Sequence, residues 1–132
     1  MSRCEIKITR EPLGRADPRF SRDYGGIVDF YGVVRALEND RNIEGIDYEA
    51  FVPMAEIELK KIALAATDDF SLGEVVIHHR IGFVPVGEPS LFLRVSARHR
   101  GAAFAASARI IEKLKAVVPI WKHAIYSSVQ IA

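Results

Sequence analysis

The first clear signal along the chain is an alternation. Across Cys4–Thr9, Ile6 and Ile8 alternate with Glu5 and Lys7, the period-two pattern of a half-buried strand. Residues 11–23 carry two prolines, a glycine and several charges, and they read as a loop with one short helical turn at most. Gly25-Gly26 then opens a second strand over Ile27–Val34. Its apolar residues fall on both parities, as in a strand covered on both faces. Gly32 interrupts it and marks a bulge or a close backbone approach. Ala36–Gly45 is polar and turn-rich, after which Ile46, Tyr48 and Ala50 alternate with Asp47 and Glu49 in a further strand.

Pro53 suits a first helical turn, and the spacing beyond it predicts a helix to about Asp68. Met54, Ile57, Ile62 and Ala65 fall near one face, with Glu56, Lys60 and Lys61 away from it. Glu74–Ile81 reads as a strand, and the following GFVPVGEP as a turn-rich connection. Ser90–Arg98 is the clearest strand, with Leu91, Leu93, Val95 and Ala97 on one parity and Phe92, Arg94, Ser96 and Arg98 on the other. A second main helix covers Gly101–Val118, where Phe104, Ala108, Ile111, Leu114 and Val118 recur at helical spacing. Pro119 ends it, because proline cannot donate into a helix interior. The remaining IWKHAIYSSVQIA is short and amphipathic. Several strands and two main helices, with hairpin-like neighbours, predict a single α+β domain with a mostly antiparallel sheet.

Composition narrows the function classes. The 132 residues suffice for one domain, and 49% apolar against 27% charged residues exclude a disordered or collagen-like chain. Eighteen Lys and Arg against seventeen Asp and Glu leave a net charge of +1. Nothing general therefore points to nucleic acid or to a membrane surface, and any anion site must come from local clustering. The single cysteine, Cys4, excludes an internal disulfide and any site built from several cysteines. No apolar stretch approaches the roughly 20 residues that span a bilayer. The opening MSRCEIKITR alternates charged and apolar residues without a signal-peptide pattern, so a reducing, cytoplasmic setting is expected.

Familiar nucleophile and nucleotide motifs are missing: there is no G-x-S-x-G, Walker A loop or G-x-G-x-x-G. Cys4 sits in a strand without a motif, which favours a structural thiol. His78 and His79 are adjacent in a strand, so their side chains point to opposite faces. His99 and His123 lack a metal-binding spacing, so no metal site is expected and no cofactor is implied. What remains is a set of cationic groups at element ends. Arg35 ends a strand, and His99-Arg100 stands between the last long strand and the second helix. Lys115 lies in that helix beside the apolar stripe, and Lys122 follows the Pro119 break. Each has a plain structural reading as a solvated end or a snorkelling side chain. Their placement also suits anion chemistry. Free N–H groups at a helix start favour an anion, and arginine offers a fork that fits phosphate. A lysine beside apolar surface can serve as proton donor or nucleophile. The residues alone point to a small enzyme or binding module for an anionic, phosphorylated small molecule.

Four segments carry a further resemblance: GGIVDFYGVVR (residues 25–35), DYEAFVPMAEIEL (47–59), VVIHHRIGFVPVGEPS (75–90) and VSARHRGAAFAASARIIEKLKAVVPIWK (95–122). Together they resemble the large, catalytic subunit of molybdopterin synthase, the MoaE family, over about residues 5–124. No single motif is specific. The ordered set G-x-V-R, Y-E-A, H-R-x-G, H-R-x-x-A-F and L-K-x-x-x-P-I-W-K is. The resemblance implies an α/β hammerhead-type fold. It implies a sulfurtransferase that converts cyclic pyranopterin monophosphate into molybdopterin by installing two dithiolene sulfurs. Sulfur would come from the C-terminal Gly-Gly thiocarboxylate of a small ubiquitin-like partner. The implied assembly is a homodimer with one small subunit at each end, a heterotetramer. Lys115 and Lys122 match the family's catalytic lysines, and His99 and Arg100 match a substrate-binding pair suited to the phosphate. Arg35 with the backbone of Val33 and Val34, and the Lys122-His123-Ala124 segment, match further substrate-binding positions.

The chain departs from the family pattern at Ala124, where the family carries a glutamate two residues beyond the second lysine. The pattern also continues with another tryptophan and charged residues past the position of Ala132, which implies a pocket wall that is open or supplied differently. These departures support an alternative: a non-catalytic relative that docks the ubiquitin-like partner without turnover.

Overall fold

The computed structural model describes residues 2–128. In chain order its elements are β1 (Arg3–Thr9), β2 (Gly26–Val33), β3 (Leu37–Glu38), β4 (Arg41–Ala50), α1 (Val52–Phe70), β5 (Glu74–Arg80), β6 (Gly82–Pro85), β7 (Pro89–Ala97), α2 (Arg100–Val117) and β8 (Ile120–Tyr126). A four-stranded sheet has the order β1-β5-β7-β2, parallel between β1 and β5 and antiparallel elsewhere. The register of β2 against β7 shifts between Gly32 and Val33, the irregularity that Gly32 foreshadows. In a second, smaller sheet β4 is central, pairing with β3, β6 and β8. The α+β class, the two main helices and the mostly antiparallel pairing agree with the sequence pattern.

One face of the larger sheet carries the core. Val75, Ile77, Leu93, Val95 and Ala97 pack against Ala55, Leu59, Ala63 and Ala66 of α1 and against Ala103, Ala106, Ile110 and Leu114 of α2. Fully burying a side chain such as Leu59, Ile77, Leu93 or Ile110 contributes about 1.5–3 kcal/mol. The buried helix faces differ in part from the expected ones: Leu114 and Val118 are buried and Ile62 and Ile111 pack at the core edge. Met54, Ile57 and Phe104 are exposed, and alanines share the inward positions with Leu59, Ile110 and Leu114. Small side chains let both helices lie close to the sheet, and a pattern weighted to large apolar residues misses them. The opposite face of the sheet is polar. There Arg94, only 2% exposed, grips both carboxylate oxygens of Asp29 at 2.7 and 2.8 Å. The segment before β2 crosses this face, tied by the Ala16 N–H to the Tyr31 hydroxyl at 2.9 Å.

Three strands fall where the sequence reads as turn or tail. Residues 36–45 form the β3–β4 hairpin and the first half of β4. GFVPVGEP contains β6, which pairs with β4 before a turn at Gly87 with φ +88°. Residues 120–126 are β8, antiparallel to β4, while residues 129–132 of the tail lie outside the described residues.

Candidate functional site

Lys122 lies on β8, in register with Tyr48 of β4. Paired residues share a face of the sheet, so Lys122 stands with Tyr48, Ile46 and Ala124. Its Nζ donates to Glu38 Oε1 at 3.3 Å. Glu38, Asn39, Ile46, Lys122, Ala124 and Tyr126 line a cleft of about 200 Å³. Ala124 is half-buried opposite Ile46, and its small side chain leaves the cleft open. His123, paired with Asp47, is exposed on the other face of the strand. The carboxylate that reaches Lys122 therefore comes from Glu38. Sequence reasoning missed this residue, and the only signal for it was the Asn39-Asp40 turn that folds the hairpin back.

Lys115 is exposed in the last turn of α2, where its charge complements the negative end of the helix. Arg35 is exposed just beyond β2. Val33 is half exposed at the end of β2. Val34 is buried against Ile43, Ile46 and Val84, and both of its backbone groups are used inside the chain. Its N–H donates to the Glu88 carbonyl at 3.0 Å, and its carbonyl accepts from Gly87 at 2.8 Å. His99 caps α2 with extended backbone and no side-chain cap bond, and Arg100 is the first helical residue. Both are exposed.

The geometry divides these residues between two poles. Arg100 and Lys115 are fifteen positions apart on one helix, about 22 Å along its axis. The start of β2 lies at the Arg100 end, because a Cβ on Gly26 would meet the Arg100 nitrogen at 2.9 Å. From Gly26 to Val33 the strand then runs about 23 Å toward the smaller sheet. Arg35, Lys115, Lys122 and Ala124 thus lie toward the smaller-sheet end, and His99 with Arg100 stands at the other.

Other titratable groups have structural partners. His78 Nε2 and Glu5 Oε2 are 2.7 Å apart, and this hydrogen bond holds the Glu5 carboxyl below its ordinary range. His79 is turned inward, as adjacent strand positions require, and burial pushes its pKa down. Burial also pushes the Cys4 thiol up, which disfavours the reactive thiolate. Among the described residues no group of three His, Cys, Asp or Glu is placed to hold a metal ion, and no helix is long and apolar enough to cross a membrane.

Fold and side-chain placement together define an α+β domain with exposed cationic side chains toward both ends of its second helix. The family model described as MoaE protein matches residues 8–117, and the chain belongs to this family. It is similar to the molybdopterin synthase catalytic subunit of Pyrococcus abyssi, at 43% identity over 102 residues, 77% of this chain and 69% of that protein. The human molybdopterin synthase catalytic subunit is 39% identical over 102 residues, 77% of this chain and 54% of that protein. The chain thus spans about half the length of several curated relatives that it matches. Among solved structures, molybdopterin synthase from Staphylococcus aureus superposes with a TM-score of 0.85 at 31% identity, covering 94% of this chain and 93% of that one.

Proposed function

We propose that the chain is the catalytic subunit of a molybdopterin synthase, a sulfurtransferase of molybdenum cofactor biosynthesis. In this reading it takes sulfur from the C-terminal thiocarboxylate of a small ubiquitin-like carrier and installs it on cyclic pyranopterin monophosphate. The observation that carries the reading is the placement of Arg35, Lys115 and Lys122 toward one end of a chain of the MoaE family. Both reactants are anions, so fixed cations are needed to bring them together. The thiocarboxylate sulfur bonds to a side-chain carbon of the pterin as a carbon–oxygen bond at that carbon breaks, the oxygen leaving as water or on the phosphate, which leaves the carrier attached as a thioester. Water then cleaves the acyl–sulfur bond, so the sulfur stays on the pterin and the carrier departs as a carboxylate. Lys115 and Lys122 offset the charge and move the protons these steps require. A second transfer completes the dithiolene. A reducing cytoplasm suits a thiocarboxylate donor and the free Cys4.

A pterin monophosphate is shorter than the 22 Å or so between the Arg100 and Lys115 backbones, so one ligand meets both in a single chain only if both side chains stretch toward it. A homodimer that sets the His99-Arg100 of one copy beside the lysines of the other supplies the phosphate site. One carrier per copy then gives a heterotetramer. Exposed Phe51, Met54 and Ile57 near the start of α1, and Phe104 near the start of α2, support the presence of protein partners. The docking-only alternative rests on Ala124, and the Glu38 carboxylate beside Lys122 weighs against it. The reading is tested by mixing the chain, thiocarboxylated carrier and cyclic pyranopterin monophosphate, then oxidising the pterin to a fluorescent derivative. Molybdopterin is the expected product. Carrier binding without product would favour docking alone, and no carrier binding would overturn both readings.

A further inference from the structure

The β3–β4 hairpin is fastened to β8 more firmly than its two-residue strand requires. Its loop residues Asn39 and Asp40 both have positive φ, 52° and 60°, the pairing that type I′ hairpins need. Asn and Asp adopt that conformation at low cost. Asn39 Nδ2 then donates to the Tyr126 hydroxyl at 3.1 Å, and the Arg41 guanidinium lies 4.0 Å from the Tyr126 ring centroid. The Ser127 N–H donates to the Asn42 carbonyl at 3.0 Å. These contacts set Glu38, the residue just before the turn, against Lys122. The Glu38 side chain is 24% exposed, whereas that of Lys122 is 59% exposed.

An ion pair this open contributes little to stability. Its effect is on direction. A free lysine side chain samples many rotamers, and a carboxylate held by the hairpin biases it toward those that face the cleft. We infer that Glu38 is a positioning residue for Lys122, holding its Nζ at the mouth of the cleft so that the amine meets the bound anion from one side. Glu38 acts through the lysine and does not itself contact the reacting atoms. The effect on turnover rests on the synthase reading above; the pairing itself does not.

Two measurements separate these. In the reconstituted assembly, kcat and KM are compared for the wild type, Glu38→Gln, Glu38→Asp, Lys122→Ala and the Glu38→Gln/Lys122→Ala double variant. Glu38→Gln is expected to lower kcat about tenfold, as a misplaced catalytic group does, with KM little changed. Glu38→Asp recovers most of the loss, and the double variant is no worse than Lys122→Ala. In the chain alone, an amine-reactive reagent followed by peptide mass spectrometry reads the accessibility of each lysine. Glu38→Gln is expected to speed labelling of Lys122 severalfold and to leave Lys115 unchanged. Unchanged labelling overturns the pairing. Faster labelling with full kcat, or additive losses in the double variant, overturns the positioning role. If the wild-type assembly makes no product, the synthase reading fails while labelling still decides the pair.

Discussion

Tyr48 stands edge-on to the imidazole of His79, with ring centroids 5.2 Å apart and planes inclined at 73°. The contact ties the two sheets together, because His79 belongs to β5 and Tyr48 to β4. Tyr48 is also the register partner of Lys122 on β8. The buried histidine thus supports the strand from which the candidate lysine is presented. Its Nδ1 lies 2.8 Å from the Arg80 carbonyl, and desolvation favours the neutral ring.

This arrangement predicts a pH-dependent stability. The folded-state pKa of His79 is lowered, so its contribution is complete above the unfolded value of about 6.5 and is lost as pH falls below it. Glu5 is also lowered, by its hydrogen bond to His78. Its contribution is present above about 4.3 and is lost as pH falls through the folded value. Denaturant unfolding across this range should show stability declining first through the histidine step and then through the carboxylate step. His79→Phe should flatten the first decline. A wild-type midpoint that stays constant between about pH 7 and pH 5 would contradict the assignment.

The Arg94–Asp29 pair makes a separate prediction. Removing one partner of a buried ion pair strands the other charge. Asp29 is itself 34% exposed, so water screens part of the loss. Asp29→Ala should cost about 2–3 kcal/mol in urea unfolding, below the full buried-pair range. A loss under about 1 kcal/mol would mean that solvent reaches Arg94 once Asp29 is gone.

The separation of the two cationic poles predicts complementation between copies. A His99→Ala/Arg100→Ala variant and a Lys115→Ala variant should each be inactive as homodimers. Unfolded together and refolded as a mixture, they should recover about a quarter of wild-type activity, since half of a random mixture is heterodimer with one intact site. No recovery, with heterodimers demonstrably formed, would place both groups of residues in the same chain's site.

Much of this molecule is legible in its sequence, and the rest is hidden for identifiable reasons. Alternation exposes β1, β5 and β7, and Pro53 and Pro119 bracket the helices. β6 is obscured because Gly82 and Pro85 lie within four residues, and its pairing with β4 is set by tertiary contact. The inward faces of α1 and α2 are partly hidden because alanines share them with Leu59, Ile110 and Leu114 while Met54, Ile57 and Phe104 point outward. The distance between Arg100 and Lys115 follows from the length of α2, once Arg100 is seen to be its first residue. The Glu38–Lys122 pair was not, because it needs the hairpin to fold back across the smaller sheet.

The most direct test of the central claim is a single turnover with a carrier whose thiocarboxylate sulfur is isotopically labelled. The account predicts labelled sulfur in the pterin dithiolene with the wild-type chain. It predicts a loss of about a hundredfold or more in rate with Lys115→Ala at an unchanged melting temperature. Labelled sulfur that stays on a bound carrier, or a Lys115→Ala variant that turns over at the wild-type rate, would contradict it.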